Sequence, residues 1–258
     1  MLSAKLKTGF LFLLLLLSCR IFSQDTAERS LFDSASAAYS RNDFETAIKD
    51  YEKILSIGKA SAPLYFNLGN AYFKNNSLGM AILNYERAKK INDGDEDLET
   101  NLKMAMQRTE DKIDKAPELF LKEWQNEIMD LMSEKKWSVF CIAVFCLTLV
   151  LFALYLFSVR TGLRKTGFFG GSTFLIIAII LFFIAKGKYE KTINSTDAVI
   201  TTGAVTAMGS PSEKGTKLFP LHEGTKIIVQ QENESWAEIR NANCKVGWIK
   251  IETFQKIL

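Results

Sequence analysis

The sequence predicts a multidomain membrane protein: an all-α helical repeat, a two-helix transmembrane hairpin and an all-β small barrel, in that order. Three observations carry this reading. Residues 28–94 align with themselves at an offset of 34. Two uncharged stretches, Ser138–Val159 and Thr166–Ala185, run for 22 and 20 residues. After Lys186 the pattern changes to short alternating runs punctuated by turn residues. Bulk composition hides all of this. Hydrophobic residues are 48% and charged residues 24% of the 258, as in an ordinary globular chain, and mean hydropathy is +0.04. That mean averages greasy segments with polar modules.

Composition also narrows function. The net charge of +3, from 32 basic and 29 acidic residues, leaves no global nucleic-acid footprint. A single histidine, His222, excludes His-rich metal sites and leaves one candidate for a His-dependent triad. No Ser or Cys sits in a nucleophile motif, and no phosphate-binding loop is present. His222 reads as a structural turn residue, and Glu223 and Glu238 as ordinary strand-edge carboxylates. No catalytic residue, cofactor site or metal site is assigned, and the chain is not read as an enzyme. Cysteines at 19, 141, 146 and 244 form neither a disulfide framework nor a zinc spacing.

Residues 1–23 have the layout of a secretory signal peptide: Lys5 and Lys7, then the apolar run Phe10–Leu17. Two exits are open. Cleavage at Ser23-Gln24 starts the mature chain at Gln24, whereas Leu16-Leu17-Ser18-Cys19 resembles a lipobox that would lipidate Cys19.

Residues 25–112 hold the repeat and a capping helix. At the offset of 34, Ala35 pairs with Gly69, Ala47 with Ala81, and Tyr51 with Tyr85. Small residues at 35/69 and 47/81 fall where the two helices of a hairpin approach closely; large ones at 51/85 fill the space between hairpins. The segment resembles the tetratricopeptide repeat family through Tyr65-x-x-Leu68-Gly69-x-x-Tyr72 and Ala81-x-x-x-Tyr85-x-x-Ala88. Tyr39 sits one position later than that pattern asks, and Asn92-Asp93-Gly94 stands where a Pro is expected. Two units seldom bury enough surface alone. The stretch 95–112, with Leu98, Leu102, Ala105 and Met106 at helical spacing, reads as their cap. The resemblance implies a concave partner-binding face lined by Phe32, Ser36, Tyr39, Phe66, Asn70, Phe73 and Lys74. Some of these aromatics can equally serve only to pack against the cap.

Residues 113–137 form an amphipathic linker with Phe120, Trp124, Ile128, Leu131 and Met132 on one stripe. It lies along the membrane surface or packs on the capping helix. Residues 138–159 and 166–185 are the spans, since 22 residues at about 1.5 Å each cover a hydrocarbon core of about 30 Å. Gly170 and Gly171 permit close helix approach. The loop 160–165 carries Arg160, Arg164 and Lys165 and forces an antiparallel hairpin. The signal peptide sets the orientation: the repeat and the C-terminal part outside, the basic loop inside. Cys244, the one thiol of the exported parts once Cys19 is removed, is either a buried structural cysteine or an intermolecular partner.

Residues 190–258, on a tether of about ten residues, carry five expected strands: Asp197–Val199, Gly203–Met208, Lys226–Gln230, Trp236–Ile239 and Gly247–Ile251. Leu221-His222-Glu223-Gly224, Trp236-Ala237-Glu238-Ile239 and Gly247-Trp248-Ile249 resemble the bacterial SH3-like family. Trp236 and Trp248 are its candidate groove residues, at least one of which serves the core instead.

The whole order of segments resembles the BatE-type proteins of the Bacteroides aerotolerance operon family. That resemblance implies a periplasm-facing inner-membrane scaffold, encoded beside von Willebrand A domain membrane proteins and acting in envelope or oxidative stress tolerance. A second reading is a cell-envelope protein that binds peptidoglycan through the SH3-like domain. Neither reading gives the chain a nucleic-acid partner.

Overall fold

A computed structural model describes residues 28–257, except 93, 112–123, 125–127, 130, 133 and 194. The signal peptide, Cys19 and most of the amphipathic linker therefore lie outside the described residues. Five helices come first: α1 (28–40), α2 (Phe44–Ser56), α3 (Ala62–Lys74), α4 (Leu78–Ile91) and α5 (Glu96–Gln107). Local chemistry sets their ends. Asp43, Ser61 and Asp95 cap α2, α3 and α5 by accepting bonds from first-turn amides. Asn42 and Asn76, 34 residues apart, both take left-handed backbone (φ 60° and 61°) at the turns into α2 and α4.

The repeat therefore shows in the backbone as well as in the side chains. Ala35, Ala47 and Ala81 are fully buried, and Tyr51 and Tyr85 are among the largest side chains with almost no exposure. At Gly69 an added Cβ would lie 2.6 Å from the Tyr85 ring, so the close approach requires glycine. The capping helix is α5, with Leu98, Leu102 and Ala105 buried.

Two long helices follow, α6 (Glu134–Phe157) and α7 (Thr161–Ile193). Their stretches Lys136–Phe157 and Thr161–Glu190 are long and apolar enough to cross a membrane. They are not the core of a soluble domain. Phe157 and Val159 are 85% and 98% exposed, and along both helices most large apolar side chains face outward. The turn between them is shorter than the sequence suggests, because α7 begins at Thr161 and takes up Arg164 and Lys165. The tightest approach is at Gly167, whose added Cβ would stand 2.7 Å from the Tyr155 backbone nitrogen. At Gly171 and Gly170 the neighbours are side chains at 3.3 and 3.5 Å. At the far end of the hairpin, Ile128 packs on a cluster of Trp137, Val144, Ala178 and Leu181, and Trp137 Nε1 donates to the Met129 carbonyl. Among the described residues of the linker, Ile128 and Met129 thus meet the hairpin.

The C-terminal part is a sheet of seven strands, two more than expected: β1 (Asp197–Ile200), β2 (Ala204–Met208), β3 (Lys217–His222), β4 (Lys226–Glu232), β5 (Trp236–Asn241), β6 (Val246–Lys250) and β7 (Phe254–Lys256). The order is β3-β2-β6-β5-β4-β1-β7 and every pairing is antiparallel. The expected closed barrel is corrected: β3 and β7 are edges that do not pair with each other. β3 was illegible because Pro220 sits inside it, which an edge strand tolerates. β7 is only three residues long and follows a 3-10 turn, Ile251–Thr253. Ala207, Leu221, Ile227, Ile239, Ile249 and Phe254, from six of the strands, share one core, so the sheet wraps around it without closing. Cys244 is also corrected. It is exposed, in left-handed backbone (φ 58°) at the β5–β6 turn, and so is not a buried structural cysteine.

The expected tether is absent. Helix α7 continues to Ile193, and the sheet docks directly on the helical repeat. Val199 and Ile257 are buried in the core of the helices. This explains why α4 is buried nearly all round, including Ile82, Leu83, Tyr85 and Glu86: α3 and α5 cover one side and the sheet the other.

Candidate functional site

The face lined by α1, α3 and α5 brings most of the sequence-derived groove residues into equivalent places in the two units. Phe32 meets the Tyr51 ring edge-on at 5.6 Å between centroids, and Phe66 meets Tyr85 at 6.1 Å. Ser36 Oγ lies 3.1 Å from the Tyr51 hydroxyl, and the Tyr85 hydroxyl donates to Asn70 Oδ1 at 2.7 Å. Burial pushes both tyrosines up, so each hydroxyl stays protonated and able to donate. Tyr39 packs on Phe44 at 5.5 Å and Phe73 lies beneath the Arg108 guanidinium at 4.5 Å.

Phe32, Tyr39, Phe66, Asn70 and Phe73 are each half-buried, with one side against the helical core and the other toward solvent. Lys74, on the last turn of α3, is exposed. Sequence reasoning missed the contribution of α5. Asn101 Nδ2 also donates to Asn70 Oδ1, at 2.9 Å, so Asn70 ties α3 to both α4 and α5. Arg108 adds a cation over Phe73. A polar residue inside a capping helix is an ordinary sight, so neither residue stood out.

On the sheet, Trp236 and Trp248 stand on the face opposite the core, on neighbouring strands, where alternate residues Ala237, Ile239, Gly247 and Ile249 are buried. Trp236 lines an open cleft of about 570 Å³ together with Val205, Thr206, Glu213, Lys250 and Glu252. Lys250 Nζ is held there by Glu213 at 2.7 Å. Trp248 pairs with Met208 and Glu238 across the strands and does not line the cleft. Of the two tryptophans, Trp236 is therefore the one that lines the cleft.

A second polar assembly, absent from the sequence reading, joins the sheet to the repeat. Glu223 Oε1 accepts from the Gly79 amide at 2.7 Å. It supplies a cap that Ser77, the N-cap of α4, does not make with its own side chain. Glu223 is thus a docking residue and not an ordinary edge carboxylate. Lys226 pairs with the buried Glu86 at 2.8 Å. Arg87 Nη2 donates to the Lys256 carbonyl at 3.0 Å. Asp111 accepts from the His222 amide and the Thr225 hydroxyl and faces His222 Nδ1 at 2.7 Å. The docked surface is α4 and the stretch after α5, which leaves the face of Phe32, Phe66 and Phe73 uncovered by the sheet. Among the described residues no three His, Cys, Asp or Glu side chains gather as a metal site.

Two family models match the helical part. Residues 35–76 match the TPR repeat family and residues 62–95 the tetratricopeptide repeat family. Residues 35–95 therefore carry tetratricopeptide-type repeats, which suggest protein–protein interaction scaffolding. No curated protein matches the chain.

Proposed function

We propose that the protein is a non-enzymatic adaptor of the inner membrane, its repeat and sheet both on the periplasmic side, that holds a segment of a partner membrane protein on the α1/α3/α5 face. The observation that carries the proposal is the side of the repeat on which the sheet docks. The sheet covers α4, while Phe32, Tyr39, Phe66, Asn70, Phe73 and Lys74 keep one side open. Half-exposed aromatics give apolar contact at low entropic cost, and Asn70, Lys74 and Arg108 add polar anchors. The segment order supports placing the protein with the BatE-type members of the aerotolerance operon family, with von Willebrand A domain membrane proteins as partners. An SH3-like identity for the sheet rests on the Gly247-Trp248-Ile249 and Leu221–Gly224 runs. The outward orientation rests on the signal peptide.

Purification in mild detergent at native expression tests the proposal. Large membrane partners co-purify with the wild type, and both Phe66→Ala with Phe73→Ala and the surface change Lys74→Glu weaken their recovery. Recovery of the wild-type protein alone counts against it. The cleft beside Trp236 favours a second reading, in which the sheet binds peptidoglycan stem peptides. In that case the detergent-solubilised chain sediments with purified sacculi and Trp236→Ala does not.

A further inference from the structure

We propose that the seam between sheet and repeat is a proton-operated latch, in which a protonated His222 imidazole bridges Asp111 and Glu110 and so holds the end of α5 against the partner-binding face. The consequence for partner binding rests on the function proposed above; the latch itself is a property of the seam alone.

The geometry around the ring argues for the proton. His222 Nδ1 lies 2.7 Å from Asp111 Oδ1, and Nε2 lies 3.2 Å from Glu110 Oε2. Both ring nitrogens thus face carboxylate oxygens, which only accept. A neutral imidazole donates from one nitrogen and turns a lone pair on the other carboxylate; the imidazolium donates to both. Asp111 is already held in register, since its Oδ2 accepts from the His222 amide at 2.8 Å and from Thr225 Oγ1 at 2.6 Å.

The surrounding charges are committed elsewhere. From α4, Glu86 is paired with Lys226, and Arg87 reaches the Lys256 carbonyl. Glu223, next to the histidine, is bound to the Gly79 amide. Strand β2, which pairs with β3 at Ala204 and His222, carries no charge along Ala204–Met208. Among the described residues, Asp111 and Glu110 are the charged groups that face the ring.

The latch is tied to the repeat face through a short piece of chain. Asp111 lies three residues beyond Arg108, whose guanidinium covers Phe73 at 4.5 Å, and Asn101 of α5 donates to Asn70. Slack in the 109–111 stretch loosens both contacts.

The direction with pH follows. The hydrogen bond to Asp111, against a smaller opposing effect of burial, raises the His222 pKa from its ordinary 6.5. Burial pushes the Asp111 carboxyl up, but bonds from Thr225 and His222 outweigh it and leave the group below its usual value. Asp111 therefore stays ionised across the range in which the histidine titrates. A group whose folded pKa is raised contributes fully below its unfolded value, and the contribution is lost as pH climbs through the folded one. The seam is closed in mild acid and loosens on the alkaline side. Its opening equilibrium rises about tenfold for each unit by which docking raises the imidazole pKa.

The full chain in detergent or nanodiscs, labelled with carbon-13 at histidine Cε1, gives one resonance because the chain has one histidine. We expect its titration midpoint above the ordinary histidine value, falling back toward that value in Asp111→Asn. Amide exchange in 103–111 and 197–201, corrected for its intrinsic pH dependence, should quicken as pH passes the midpoint and lose that dependence in His222→Gln. A wild-type midpoint at or below the ordinary value overturns the latch. So does seam exchange that is independent of pH in the wild type, or equally dependent in His222→Gln. None of these readouts involves a partner. A repeat face that binds nothing leaves them intact, and a failed latch leaves co-purification free to succeed.

Discussion

Gly79→Ala separates helix propensity from docking, because the two act with opposite signs at this position. In an exposed helix the change favours α4 by about 1 kcal/mol. In the seam the new Cβ would lie 2.5 Å from the Ile200 carbonyl oxygen and 3.1 Å from Thr201 Cα, both of them backbone. Strand β1 would have to move, and overpacking of this kind costs about 1–3 kcal/mol. The same Cβ would lie 2.7 Å from Glu223 Cγ, displacing the carboxylate whose 2.7 Å bond caps the Gly79 amide. A hydrogen bond to a charged group is worth about 1.5–3 kcal/mol. These losses weaken docking by about 2.5–6 kcal/mol, and with the helix gain set against them the docked fold is less stable by about 1.5–5 kcal/mol. Amide exchange of the full chain provides the assay. Protection at β1 should fall sharply, while Ile239 and Ile249 in the centre of the sheet keep theirs. A variant about 1 kcal/mol more stable than wild type, with β1 protection unchanged, would refute the docking argument.

Two further predictions concern the packing on either side of α4. Tyr85→Phe removes the donor to Asn70 Oδ1 but leaves the Asn101 bond, so denaturant unfolding should show a loss of about 1 kcal/mol, with α5 loosened less than α4. Ile257→Ala, which truncates a side chain 4% exposed in the helical core, should cost about 2–5 kcal/mol and should speed amide exchange in α4. A loss confined to the sheet would contradict that assignment.

The parts of this architecture that were legible in the sequence are the periodic ones. The offset of 34 identified Ala35 with Gly69 and Tyr51 with Tyr85, and those pairs occupy matching places because repeat packing uses the same side chains in each unit. The uncharged stretches were equally plain, because a bilayer-length apolar run has few other uses. The seam left no such pattern. His222 and Asp111 are 111 residues apart, and Glu223 and Gly79 are 144 apart. Val199 and Ile257 look like any apolar strand residues. One signal was available: Gly79 sits in the first turn of a helix, where glycine costs about 1 kcal/mol relative to alanine, and such a residue often marks close backbone approach.

The docked sheet also resolves a difficulty in the repeat itself. Two tetratricopeptide units bury little surface, and α5 covers only the end of the array. Left alone, α4 would expose Ile82 and the buried carboxylate of Glu86 to water. The sheet covers both, through Gly224 against Ile82 and Lys226 against Glu86, and the Gly224 turn (φ 86°) allows that approach. Had a third unit been used instead, it would have stacked on α5, in line with the array, and left this side of α4 bare. The sheet stabilises the repeat from the side, and the face of Phe32, Phe66 and Phe73 stays available. Because α7 runs unbroken from the apolar stretch to Ile193, just before β1, the same docking fixes that face relative to the hairpin. On the function and latch proposed above, a ligand that needs Arg108 and Asn101 in place would bind more tightly when the seam is closed, and by the same factor its binding would close the seam.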